Sequence, residues 1–202
     1  VLKKSPHADL DCVSCHIGFD PENIPHKENI GTVECTSCHQ DAVMEHQFHA
    51  VQLSIASSQG RLASSCKQCH GTHNVLPLEN EDNPFHYSNM TKTCGKCHPD
   101  VTQTFAKSEH GKAQKGGVKG APTCISCHAR DVTGHKGKLS KLETKRIQEE
   151  LCLECHHDNE DVRSRMGPKA SFIMAYEKSV HGMALRGGNG DAANCVDCHG
   201  SH

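Results

Sequence analysis

The stretch "KSEHGKAQKGGVKGAPTCISCHA", Lys107 to Ala129, ends in Cys124-x-x-Cys127-His128 and carries an isolated His110 upstream, between Glu109 and Gly111. The first half of this arrangement is not local. Seven pairs share its spacing: Cys12/Cys15, Cys35/Cys38, Cys66/Cys69, Cys94/Cys97, Cys124/Cys127, Cys152/Cys155 and Cys195/Cys198. Each is followed at once by a histidine, namely His16, His39, His70, His98, His128, His156 and His199. All 14 cysteines are used, and none is left over.

Cys-x-x-Cys-His reads as a covalent attachment site for haem c. Two thiols become thioethers on the vinyl groups, and the adjacent imidazole reaches the iron from the same side. Zinc sites explain paired cysteines but not a histidine after every pair. Redox dithiols of the thioredoxin kind occur singly on a βαβ unit, which the chain does not suggest. Disulfide scaffolds use varied spacings. The expectation is therefore seven haem c groups held by the 14 cysteines, with the seven motif histidines as proximal iron ligands.

Composition agrees. The 202 residues are 3% aromatic, with no Trp, two Tyr and five Phe, and only 35% hydrophobic. So polar a chain has too little apolar side-chain volume for an ordinary core. With about one haem per 29 residues, haems forming the core would supply what side chains lack. The fold expected is mainly α with extensive loop and little or no sheet. The helix expected most strongly is "LSKLETKRIQEELCLECHH", Leu139 to His157. "KGGVKGAP" and "RGGNGDAAN" read as Gly-rich loops, and neither matches a phosphate-binding loop.

Charges nearly balance, 22 basic against 24 acidic, which argues against a nucleic-acid partner. No apolar run approaches the ~18 residues of a membrane span. The opening "VLKKSPHADL" lacks Met and a signal-peptide core, so a processed or trimmed start is expected. Haem attachment to such motifs takes place outside the cytoplasm, which gives a periplasmic or extracellular location.

Eleven histidines lie outside the motifs. An electron-carrying haem iron takes a second strong ligand, imidazole or thioether. The five Met share no position relative to the motifs, so histidine is expected. "KSPHA", "KSEHG" and "KSVHG" repeat one frame around His7, His110 and His181, and "HQFHA" at His49 is a degraded copy. These copies precede motifs one, five, seven and three. The chain thus reads as one domain of tandem two-haem units, about 12–65, 66–123 and 124–194, with a half unit at 195–202.

Each histidine of that frame is expected near the end of the helix following an even-numbered motif. In "CHPDVTQTFAKSEHG" that helix starts at Pro99 and stops before Gly111. His26, His73 and His135, after the odd motifs, complete a distal set of His7, His26, His49, His73, His110, His135 and His181. His73 is preferred to His86 because "CHGTH" recurs as "CHGSH" at His202. His46 reads as a polar neighbour of His49. His202 occupies a slot suited to an eighth haem, and the natural chain is expected to continue past it. Spacing does not say which distal histidine serves which iron.

On these motifs, the Ser-x-His-Gly segments and the "CHGTH" turn, the whole chain resembles the multihaem c-type cytochromes of anaerobic, metal-respiring bacteria. It is most similar to periplasmic members with tandem haem pairs. The resemblance implies a chain of closely spaced haems. It also implies redox protein partners, such as a membrane quinol-oxidising complex or other multihaem cytochromes. In that family a "CHH" doublet such as His156-His157 often supplies a neighbour's ligand. The expected function is electron transfer without catalysis, because iron with two imidazoles has no open position for substrate. Two other classes stand beside it. One is a multihaem oxidoreductase of the nitrite, hydroxylamine or sulfite type with one open haem. The other is a subunit of a conducting filament, with which oligomerisation is compatible.

Overall fold

The computed structural model describes residues 2–25, 30–42, 49, 53, 58–60, 62–133 and 139–202. These residues are mainly helical (53%) and contain no strand. The chain divides into two compact units, Val1–Pro99 and Asp100–His202. The division falls between motif four and motif five.

In the first unit, α1 (Cys12–Cys15) carries motif one, and α2 (Leu62–His70) ends in motif three. Motif two opens on a 3-10 turn, Cys35–Ser37, and Cys38 lies just past its end. After α2 comes a looped segment pinned by polar side chains. Buried Asn83 donates to Leu76 O at 2.5 Å and accepts from Phe85 N at 2.6 Å, while Thr93 donates to Pro84 O at 2.7 Å. That loop leads into α3 (Met90–Gly95), which contains Cys94, the first cysteine of motif four.

α4 (Pro99–Lys107) begins at the boundary between the units, with Pro99 where its missing N–H costs nothing. The helix stops at Lys107. Ser108 then caps a new helix, α5 (Glu109–Lys115), by accepting from Gly111 N at 3.1 Å. His110 therefore sits in the first turn of the second helix, not near the end of the first, as the sequence suggested. The same break recurs between α9 (Ser171–Glu177) and α10 (Val180–Arg186), where Ser179 accepts from Gly182 N at 3.2 Å. Ser after Lys is a stop and a restart, since its hydroxyl offers a first-turn N–H an acceptor in place of the i−4 carbonyl of a continued helix.

Glycine in the Lys-Ser-x-His-Gly frame has a steric reason. A Cβ on Gly111 would lie 2.0 Å from Phe105 O, and one on Gly182 would lie 2.5 Å from Tyr176 O. Both glycines are buried against the last carbonyls of the preceding helix.

The second unit is organised by α7 (Lys141–His156), close to the Leu139–His157 run expected from sequence. Ser140 and Glu143 cap it reciprocally, an arrangement typically worth about 1 kcal/mol. One face of α7 docks on the segment before motif seven. Lys145 reaches Ala192 O at 2.7 Å and Asp197 at 2.8 Å, while fully buried Asn194 donates to Lys145 O and Gln148 Oε1. Gln148 also donates to Val132 O at 2.6 Å, tying in the chain after motif five. Motifs five, six and seven are thus fastened to one rod. Among the described residues, α6 (Cys124–His128), α8 (Glu160–Met166) and α11 (Cys195–His199) are further α-helices.

Side chains do not fill an interior. Among the described residues, Met90, Leu185 and Ala192 are the buried apolar ones, whereas Ile17 is 83% exposed and Phe172 is 73% exposed. The accessible surface is 14125 Å². Two separate globular units of half the mass each would expose about 11,200 Å² between them. No helix among the described residues is long and apolar enough to cross a membrane.

Candidate metal centres

Local structure gives the Cys-x-x-Cys-His spacing its meaning. In α6 and α11 the motif is one short helix, so positions i, i+3 and i+4 lie on one face. Cys124, Cys127 and His128 share such a face, as do Cys195, Cys198 and His199. The caps hold the frame. Thr123 pairs reciprocally with Ser126, and Asn194 with Asp197, at the two helix starts. All 14 cysteines are free thiols, so no disulfide competes with these sites.

Motifs two and four depart from this arrangement at their second cysteines, since Cys38 lies past a 3-10 turn and Cys97 lies past the end of α3. The sequence gives Cys38 the same place as the second cysteine of every other motif. In the structure it follows the 3-10 turn instead of lying within a helix, and its thiol is exposed while that of Cys35 is half-buried. Its N–H donates to Cys35 O at 3.3 Å, a long contact, whereas His39 N donates to the same carbonyl at 3.0 Å. Glu34 makes no side-chain hydrogen bond to the turn, whereas Asn194 accepts from Val196 N and Asp197 N at the start of α11. The backbone of motif two therefore does not set Cys35, Cys38 and His39 on a regular helix face.

Among the described residues, five histidine pairs join a motif histidine to one outside the motifs. His7 faces His39 at 5.9 Å between ring centres, and His73 faces His16 at 5.9 Å. His49 faces His98 at 6.2 Å, His110 faces His156 at 5.7 Å, and His202 faces His128 at 5.8 Å. Other ring contacts range from 4.5 Å for His86 on Tyr87 and 4.8 Å for His70 on Phe85 to 6.4 Å for His16 on Phe19. Two metal–imidazole bonds of about 2 Å, with about 1 Å from each nitrogen to its ring centre, span roughly 6 Å. The pairs therefore fit an iron held between two imidazoles. His16 also keeps a buried ring nitrogen, Nδ1, with no hydrogen-bond partner. Among the described residues no group of three or more His, Cys, Asp or Glu gathers around one point.

The pairings follow two regular steps. His7, His49 and His110 precede motifs one, three and five, yet face the histidines of motifs two, four and six. His73 and His202 follow motifs three and seven, yet face those of motifs one and five. The second step depends on a glycine directly after the motif. Gly71 and Gly200 have φ of +75° and +77°, a region where other residues are strained, and each turns the chain so that the next histidine points back.

The remaining histidines are placed as follows. His26, His46 and His135 lie outside the described residues. His86 lies beside Tyr87 and its Nδ1 meets Ser88 Oγ at 2.7 Å. His157 of the "CHH" doublet turns to Asp158 at 2.7 Å. His181 is exposed on the first turn of α10. His202, outside the distal set expected from sequence, lies against a motif histidine. The signal for it was present, since "CHGSH" repeats the "CHGTH" that places His73. His202 also borders a shallow groove of about 300 Å³ with Asp100, Val101 and Thr104.

Electrostatics suit imidazole as a neutral ligand. Desolvation lowers the pKa of His110, His156 and His202, and His110 and His199 lower that of His156 further. His156 Nδ1 lies 3.0 Å from Met166 Sδ, a weak acceptor.

The motifs also adjoin one another through their thiols. Burial raises the Cys66 pKa, and Cys35 adds to the shift by charge and hydrogen bonding. Burial likewise raises Cys69, with Cys97 adding to it, and Cys127, with Cys155 adding to it. Cys152 is raised by its hydrogen bond with Cys195 and by burial. Motifs two, three and four are thus neighbours in one unit, and motifs five, six and seven in the other. Motif two meets its neighbour through Cys35.

No protein-family model matches the chain, and neither a curated protein nor a solved structure matches it significantly.

Proposed function

We propose that the chain is an electron-transfer protein carrying seven haem c groups, each iron held between two histidines. The observation that carries this reading is the set of five facing histidine pairs, each one motif ring with one non-motif ring. The scant apolar core and the exposed surface support it, because chain of this composition needs something besides side chains to fold around.

When bound, haem c supplies a one-electron iron couple, of low potential with two imidazole ligands relative to His/Met ligation. The chain's residues do the rest. Paired thiols fix each group covalently, on a helix face at motifs five and seven and across a 3-10 turn at Cys35 and Cys38. The paired imidazoles would hold the iron from two sides and leave no place for substrate, which favours a carrier over an enzyme. Adjacent cysteines of successive motifs, such as Cys152 and Cys195, bring neighbouring attachment points together for hopping within a unit.

The two steps assign ligands. His7 serves the iron of His39, His73 that of His16, His49 that of His98, His110 that of His156, and His202 that of His128. The irons of His70 and His199 then remain. We assign to them His26 and His135, which occupy corresponding places after motifs one and five. By the same step His181 belongs to an iron that these seven motifs do not supply. The donor and acceptor are redox proteins, quinol-linked or multihaem, in the periplasm or at the cell surface.

The test is production in a host with c-type haem maturation, followed by intact mass, haem quantitation and electron paramagnetic resonance. Seven covalent haems, all low-spin, are expected. Unmodified thiols, or a high-spin iron that binds and converts substrate, would overturn the reading.

A further inference from the structure

Glu149 is not used by the scheme above, and its setting is unusual. It is 6% exposed, on the face of α7 that packs against α9, α10 and motif seven, and its Oε1 is buried without a hydrogen-bond partner. A buried carboxylate oxygen with no donor is costly and is retained only where something else is gained. Tyr176, on α9, does not satisfy it, because its hydroxyl donates to Ala193 O at 3.1 Å.

The charged and titratable groups around it come from every packed element. α7 contributes Arg146 and Glu150, α9 contributes Tyr176 and Glu177, α10 contributes Arg186, and motif seven contributes Cys195. Desolvation raises the Glu149 pKa, Arg186 opposes this, and Glu177 and Glu150 add to it. The charge of Glu149 in turn bears on the Cys195 thiol, an attachment point of motif seven.

We propose that Glu149 is a redox-linked proton site for the iron attached through Cys195 and Cys198. The inference rests on the haem reading above. One electron from an external one-electron reductant takes the iron from ferric to ferrous. The added negative charge raises the proton affinity of the nearby carboxylate, which takes one proton from solvent and forms an O–H bond. Reoxidation releases the electron to an acceptor and the proton to water. Arg186 keeps the carboxylate ionised while the iron is ferric, and burial makes it responsive when the iron is reduced.

The test is a spectroelectrochemical titration of the haem-loaded protein at a series of pH values, on wild type, Glu149→Gln and Glu149→Asp. Haem content and mass of the same samples are measured first, so loss of the haem reading is seen separately. In wild type, one component's midpoint should fall as pH rises through a window. Below that window the carboxyl is protonated in both redox states, and above it in neither. Glu149→Gln should lose this dependence, and Glu149→Asp should keep it with a shifted window. Should Glu149→Gln not fold, the redox-difference infrared spectrum of wild type serves. A protonated-carboxyl C=O band, sensitive to D₂O, should grow on reduction. A pH dependence that persists in Glu149→Gln, or a wild type with neither the dependence nor the band, would overturn the proposal.

Discussion

His128 and His202 face each other with ring centres 5.8 Å apart and planes 10° from parallel, although motifs six and seven intervene between them in the chain. Gly200, at φ +77°, turns the backbone that brings His202 there. The same turn at Gly71 brings His73 to His16. Two copies of one short sequence thus do one job, and the job concerns a motif two places earlier.

His202→Ala should leave one iron of seven without its second imidazole. In the haem-loaded protein one centre becomes high-spin and binds carbon monoxide when reduced, while His181→Ala leaves all seven low-spin. Electron paramagnetic resonance reads both. The opposite result would restore His181 to the set and remove His202.

Met in place of His110 should raise one midpoint potential and leave the other six near their wild-type values. Thioether ligation favours ferrous iron relative to a second imidazole. A potentiometric titration followed by visible absorbance measures it. A variant indistinguishable from wild type would break the His110–His156 assignment.

Gly111→Ala and Gly182→Ala should destabilise the fold by roughly 1–3 kcal/mol each, because the new methyl meets a backbone carbonyl that cannot step aside. Within a helix, glycine to alanine ordinarily stabilises by about 0.5–1 kcal/mol, so the sign alone is diagnostic. Ser108→Ala, which loses only a cap, should cost about 1 kcal/mol. Urea unfolding followed by circular dichroism compares the three.

Asn194→Ala should be among the more damaging single changes in the second unit, at roughly 2–3 kcal/mol. The side chain is 1% exposed, caps α11 by accepting from Val196 N and Asp197 N, and donates two bonds to α7. Its loss frees motif seven from the rod that aligns it. Thermal unfolding of haem-loaded protein measures the cost, and a change near zero would mean that α7 does not hold motif seven.

Stability should fall on acidification through Asp197. Its carboxyl is held below the usual range by the Lys145 hydrogen bond and then by the Asn194 backbone N–H. A depressed carboxylate stabilises fully above its unfolded pKa of about 4 and loses that contribution as pH drops through the lower folded value. Wild type should lose more thermal stability than Asp197→Asn between neutral pH and the acid side of that window. Since Asp197 is 42% exposed, the difference should be small and reduced by salt.

The sequence by itself determined the local chemistry. Seven identical spacings singled out the thiols and the motif imidazoles, because attachment to one group would require them close together on one side of the chain. The want of any convincing strand pair foretold that the described residues hold no strand, and poverty in apolar residues foretold that few of their apolar side chains are buried. The α7 rod was legible in its caps and its run of helix formers. Tertiary structure decided what no spacing encodes. Identical spacing did not give identical backbone, since Cys38 and Cys97 fall past the ends of a 3-10 turn and of α3 while Cys127 and Cys198 lie within helices. The break at Ser108 was invisible, because Lys107, Ser108 and Glu109 are all acceptable inside a helix. Only the packing of Gly111 on Phe105 O shows that two helices meet there. The partner of each ring was equally hidden, since a histidine two or three turns from a motif is no closer to it in space than one far along the chain. His110 finds His156, and His202 finds His128, because capped helices and glycine turns aim them across neighbouring motifs. Covalent order fixes which groups can be attached, and the directions of those turns fix which imidazoles meet.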